Sequence, residues 1–133
     1  MASQHWTLKE AFAYFGAKAA NSRWSWSARS DDEKTVVVTL WDDNIEPDGS
    51  VNLFRHRELP LWQKARGNKD RIKNLSLAED QCDGLFRVVR VSARDESAVP
   101  RSIAKRWPDP TLVMKITELD RTTGEFRAVS VER

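Results

Sequence analysis

The sequence is short of the residues that catalysis usually recruits. It has one cysteine, Cys82, so no internal disulfide and no multi-cysteine metal site can form. Nothing in it calls for an oxidising compartment. Histidine is almost as scarce. His5 lies in the N-terminal segment, and His56 stands between Arg55 and Arg57, where flanking cations disfavour its protonation. The five glycines form neither G-x-G-x-x-G nor a Walker A loop, which argues against dinucleotide and ATP-driven chemistry. No G-x-S-x-G elbow is present. No run approaches the roughly 18 apolar residues of a membrane span. Met1–Thr7 carries no apolar run after a basic segment, so no signal peptide is expected. The expectation is a soluble, cytoplasmic protein without a cofactor. With 133 residues and 40% hydrophobic content, the chain supports one core, hence a single domain over 1–133.

Charge and tryptophan are what the sequence does have. Charged residues make up 32%, yet the formal net charge is only +2. That average hides two basic blocks. Residues 55–74 carry seven basic and two acidic side chains, and residues 85–106 carry six basic and two acidic ones. Such clustering is the pattern of a surface patch, or of two solvated faces with no partner. Six of the twelve aromatic residues are tryptophan.

Thr7 and Glu10 form a capping-box pattern, and Leu8, Ala11, Phe12, Phe15 and Ala19 follow at helical spacing, which predicts a helix from Leu8 to about Ala19. Arg23–Ser30 and Thr35–Trp41 have strand character around Asp31–Lys34, a hairpin turn. A four-residue turn pairs residues whose numbers sum to 65. Trp24, Trp26 and Trp41 would then share one face, and Ser25, Ser27, Arg29, Val36, Val38 and Leu40 the other. Val51–Arg55 reads as a short strand, and Leu61, Trp62 and Ala65 as a helical turn. Asn68 is placed as the N-cap of a second helix striped by Ile72, Leu75, Ala78 and Cys82 and stopped at Gly84. Leu85–Ser92 is a strong strand. Val99–Trp107 reads as a short helix ended by Pro108 and Pro110. Thr111–Leu119 and Glu125–Val131 form a hairpin around Asp120–Gly124. The expected class is α+β: a curved mixed sheet or partial barrel with two hairpins and two or three helices.

Catalytic groups are hard to assemble from this pattern. Cys82 on a helical stripe is a small core residue rather than a nucleophile. Asp31, Asp32, Asp42 and Asp43 could supply one carboxylate each to a Mg²⁺ ion, and Asp32-Glu33-Lys34 has a nuclease-like local form. Charged residues are also what a hairpin turn ordinarily carries.

Recognition is the better match. Aromatic faces beside cations hold unstacked bases and phosphates. Trp24, Trp26, Trp41, Trp62 and Trp107 are the candidate stacking residues. Arg57, Lys64, Arg66, Lys69, Arg71, Lys73, Arg87, Arg90, Lys105 and Arg106 are the candidate phosphate contacts. The competing reading buries the hairpin tryptophans against Phe12 and Phe15.

The element order, the size and the Gly84-Leu85-Phe86-Arg87-Val88-Val89 strand entry resemble the PUA-like superfamily, which includes the EVE, ASCH, YTH and SRA domains. The resemblance implies a small curved-sheet module that binds nucleic acid, in several members by enclosing a modified base in an aromatic cage. Trp24, Trp26 and Trp41 are similar in kind to such a cage. The leading expectation is therefore a non-enzymatic DNA- or RNA-binding module reading a flipped or modified base. Its rivals are a module that docks on a larger protein, since exposed Trp and Arg are typical interface anchors, and a metal-dependent nuclease. No membrane partner is expected.

Overall fold

Thr7 caps the first helix as its sequence pattern predicts. Its Oγ1 accepts from the Glu10 amide at 3.1 Å, and Glu10 Oε1 accepts from the Thr7 amide at 3.0 Å. Helix α1 spans Leu8–Tyr14 and stops short of the expected Ala19. Gly16, at φ +76°, reverses the chain there. The next residues, Ala17–Lys18, become strand β1 instead of a further helical turn. A computed structural model describes residues 6–21, 24–54, 65–98 and 102–131. The expected helical turn at Leu61–Ala65 lies almost wholly outside them.

The remaining elements are β2 (Ser27–Ser30), β3 (Val36–Trp41), a 3-10 turn (Asp42–Asn44), β4 (Val51–Asn52), α2 (Arg66–Gln81), β5 (Leu85–Ala93), β6 (Ile103–Leu119) and β7 (Phe126–Ser130). The seven strands form one sheet in the order β1-β2-β3-β5-β6-β7-β4. It is a mixed sheet, because β3 and β5 pair in parallel while every other neighbour pairs antiparallel. The sheet is open, with β1 and β4 at its edges. With two helices among the described residues, the class is α+β.

The β2–β3 register follows the sum rule: Ser27 pairs with Val38, Ala28 with Val37 and Arg29 with Val36. Side-chain alternation then divides the core. Val36, Val38 and Leu40 join Phe86, Val88 and Met114 beneath Leu75 and Ala78 of α2. Val37 and Val89 join Ala28 beneath Ala11 and Phe12 of α1. The two helices therefore cover opposite faces of the sheet.

Two expectations fail for identifiable reasons. Residues 103–107 are not part of a helix but begin the long strand β6. Its prolines are accommodated rather than terminal: Pro108 pairs with Val89, and Pro110 falls in an irregularity between the Val88–Asp109 and Arg87–Val113 pairs. A bulge tolerates a residue that cannot donate to the ladder. Asn68 is not an N-cap either. It is fully buried inside α2, and its Nδ2 donates to Thr123 O at 2.9 Å, pinning the helix to the β6–β7 turn. That turn behaves as expected, with Gly124 at φ +86°. So does the end of α2, where Gly84, at φ +76°, donates back to Ala78 O at 2.8 Å.

Candidate nucleic-acid interface

The α1 face of the sheet carries a groove of about 760 Å³. The C-terminal end of α1 supplies Tyr14 and Phe15, the start of β3 supplies Lys34 and Thr35, and β5 and β6 supply Arg87, Val113 and Lys115. Among the described residues, its lining includes three cations and no carboxylate. Arg87 reaches this face because it pairs with Val37 on one side and Val113 on the other. Lys115 follows because it pairs with Leu85, two residues along β5.

Aromatic rings and cations are interleaved along one wall. Trp6 meets Tyr14 edge-to-face at 5.9 Å, and Tyr14 meets Phe15 edge-to-face at 5.1 Å. The Arg87 guanidinium lies 4.7 Å from the Phe15 centroid, and its Nη2 donates to Pro110 O at 2.9 Å. Arg87 is thereby oriented by a stacked ring and a carbonyl, an arrangement suited to presenting a planar cation. Tyr14 is 53% exposed, the most exposed large hydrophobic side chain among the described residues. The helix turn that ends at Gly16 places it there.

Of the residues singled out from sequence, only Arg87 lines this groove. Arg66, Lys69 and Lys73 are exposed along α2, on the opposite face of the sheet, at spacings that put them on one side of that helix. Arg71 is buried and lies between Trp26, 5.2 Å from its guanidinium, and Phe126, 5.5 Å away. Its Nη2 donates to Asn68 Oδ1 at 3.1 Å, and burial pushes its pKa down to about 10.

The three hairpin tryptophans do not share a face. Strand β2 begins only at Ser27, so Trp24 and Trp26 precede the regular alternation. Trp26 keeps its place opposite Thr39 through the Thr39 amide, which donates to Trp26 O at 2.9 Å, but its ring turns toward α2. Trp41, which pairs with Val91, belongs to the α1 face. All three are half-buried, and among the described residues they form neither a cage nor a common core contact with Phe12.

Trp107 and Arg106 alternate across β6. Trp107 pairs with Arg90 on the α2 face, and Arg106 pairs with Val91 on the α1 face. Lys105 is exposed at the same end of the sheet. Arg90 is held by two carboxylates, Asp109 Oδ2 at 2.7 Å from Nε and Asp42 Oδ1 at 2.8 Å from Nη1. Burial works against its charge, but the hydrogen bonds to Asp109 and Asp42 win, and its pKa moves up. Arg57, Trp62, Lys64 and both histidines lie outside the described residues.

The paired carboxylates do not converge. Asp32 accepts from Ser30 Oγ and from the Lys34 amide, whereas Asp42 faces Arg90. The six residues of β3 separate the two. A strand of that length spans roughly 17 Å, far beyond what one cation can bridge. Among the described residues, no three His, Cys, Asp or Glu side chains form a metal-ligand set. Cys82 is partly buried, and burial together with Asp83, Asp32 and Glu33 raises its thiol pKa, as suits an unreactive core cysteine.

Tyr14, Phe15, Lys34 and Lys115 were not distinguishable as a group in the sequence. They lie in separate segments, and the pairing of β3 with β5 that gathers them has no local signature. A comparison with protein-family profiles, curated proteins and solved structures finds no match. The groove therefore has to be read from its own chemistry.

Proposed function

We propose that this protein is a non-enzymatic nucleic-acid-binding module that holds an unpaired strand in the groove beside α1. One observation carries the reading: exposed Tyr14 and half-buried Phe15 are interleaved with Lys34, Arg87 and Lys115 in a groove that, among the described residues, is lined by no carboxylate. Stacking on an aromatic ring contributes about 1–3 kcal/mol per base, and cations along the groove neutralise phosphates. Duplex DNA fits less well, because Tyr14 needs an accessible base face to stack on.

A flipped or modified base is the ligand class we infer within this reading, in line with the PUA-like resemblance. The partial-barrel description also belongs here. Arg71 touches both Trp26, which leads into β2, and Phe126 in β7. In a flat sheet those strands would lie about 19 Å apart. Contact of one guanidinium with both supports a sheet that curls around α2.

The test is fluorescence anisotropy with labelled single-stranded DNA, single-stranded RNA and duplex probes at low salt. Binding to a single-stranded probe is expected, and Lys34→Glu combined with Lys115→Glu should abolish it. If the wild-type protein binds none of the probes, the reading fails.

A further inference from the structure

The sheet face that carries the α1 groove continues beyond it along β6 and β7. Phe126 and Ala128 are buried against the α2 side, so alternation turns Arg127 and Val129 of β7, and Val131 just past its end, to the α1 side. Val131 lines the groove, and Val129 and Arg127 lead away from it, both exposed. Lys115 stands beside Val129 and is exposed as well. Tyr14 and Val129 are the exposed large hydrophobic side chains among the described residues, and both belong to this face. At its far end is a second stack of a ring and a guanidinium. Arg127 lies 5.4 Å from the Phe54 centroid, as Arg87 lies 4.7 Å from that of Phe15 in the groove. The Phe54 segment is fixed there by its backbone. The Leu53 amide donates to Phe126 O at 2.9 Å, and the Phe54 amide donates to Asn52 Oδ1 at 2.9 Å.

We propose that the unpaired strand held in the groove continues over Lys115 and stacks a further base on the Arg127–Phe54 pair. The proposal rests on the reading of the groove as a single-strand site. An arginine plane is a stacking surface for an unpaired base, and a ring behind it fixes its orientation. Glu118 Oε1 approaches Arg127 Nη1 at 3.4 Å, but both side chains are about half exposed, and such a surface pair contributes little. The span suits several nucleotides. Arg87 is in register with Val113, and Val113 with Val131, so Arg127 lies two strands over and four residues along from Arg87. In a flat sheet that is roughly 17 Å, the length of about five stacked nucleotides at about 3.4 Å each. Charge also selects the occupant. Lys34, Arg87, Lys115 and Arg127 outnumber Glu118 along this path, so a second copy of the chain would set cations against cations, whereas a phosphate backbone matches them.

The test compares labelled oligothymidylates of about three and about ten nucleotides, the short one able to fill only the groove. A longer probe also offers more registers, so the variants decide rather than the length effect. Arg127→Gln and Phe54→Leu should each weaken binding of the long probe at least about fivefold, the lower end for one stacked base. Both should leave the short probe's affinity unchanged. Arg127 is exposed, so Arg127→Gln keeps the test decisive where Phe54→Leu does not fold. If the long probe binds and neither variant weakens it, the path ends in the groove, and this proposal fails while the groove reading stands. Equal weakening of both probes also overturns it, because the pair would then act through the fold. If neither probe binds the wild-type protein, the groove reading fails and takes the proposal with it. A dimer in light scattering that Arg127→Gln dissociates would assign the face to a second copy and overturn the proposal too.

Discussion

The Arg71 guanidinium stacks 5.2 Å from the Trp26 centroid inside the protein, so the most basic stretch of the sequence contributes one of its cations to the core. The same guanidinium is 5.5 Å from Phe126, and it ties helix α2 to the segment leading into β2 and to β7, four strands apart in the sheet order. Its removal should be costly. Arg71→Ala loses a desolvated cation–π contact and leaves a cavity, for an expected loss of about 3 kcal/mol. Arg71→Met keeps the apolar stem and should recover more than half of that. Urea unfolding measures both, and an Arg71→Ala protein within about 1 kcal/mol of wild type would show the stack to be incidental.

Two glycines make this packing possible, and each predicts a different penalty. A Cβ on Gly67 would sit 2.4 Å from Trp26 Cε2, and one on Gly124 would sit 2.2 Å from Asn68 Oδ1. Gly124 also has φ +86°, whereas Gly16, at φ +76°, faces open space. Gly16→Ala should therefore cost only the backbone strain, about 1 kcal/mol. Gly124→Ala adds a clash to that strain, and Gly67→Ala forces the indole off α2, so both should exceed about 2 kcal/mol. Thermal unfolding of the three variants should rank Gly16→Ala as the mildest. Equal losses at all three positions would contradict the close approach to Trp26 and Asn68.

Local pattern was readable where one element's own residues decide its structure. The Thr7–Glu10 box, the β2–β3 register and the Gly124 turn all depend on neighbours in sequence. Three features were not readable, for three physical reasons. Pro108 and Pro110 look like helix stops until the pairing with β5 places Pro108 in register opposite Val89 and Pro110 in an irregularity of β6. Trp26 looks like part of an alternating strand, but its ring is drawn to Arg71 across the chain. The groove could not be seen because Tyr14, Lys34 and Lys115 meet only through the parallel β3–β5 pairing. Counting cations by sequence block likewise missed burial, which takes Arg71 out of the basic patch, and ion pairing, which occupies Arg90.

Acid should weaken the irregular part of β6. Asp109 is partly buried, which raises its pKa. Hydrogen bonds from the Thr111 hydroxyl and amide and from Arg90 more than offset this, so its pKa is held below the ordinary aspartate value. A carboxylate with a depressed folded-state pKa stabilises the fold above the unfolded value, about pH 4, and that contribution is lost as pH falls through the lower folded value. Asp109→Asn should cost about 1–2 kcal/mol at pH 7 and flatten the dependence of stability on pH below about pH 4. Denaturant midpoints measured from pH 7 to pH 2 would show it. An unchanged acid limb in Asp109→Asn would remove Asp109 from the explanation.

Stacking and charge in the α1 groove can be separated by salt. For single strands, the slope of log affinity against log salt is about −0.7 per phosphate neutralised. Lys34→Gln and Lys115→Gln should each reduce that slope by about 0.7 and weaken binding most at low salt. Tyr14→Ala removes a ring and no charge. It should lower affinity by about 1–3 kcal/mol at every salt concentration and leave the slope unchanged. Tyr14 is half exposed but meets Trp6 and Phe15 edge-to-face, so this substitution should cost about 1 kcal/mol of stability and leave the protein folded. Anisotropy titrations of a single-stranded probe across a salt series give both quantities. If the lysine variants keep the wild-type slope, the phosphates lie elsewhere, and the exposed stripe of Arg66, Lys69 and Lys73 on α2 becomes the surface to test.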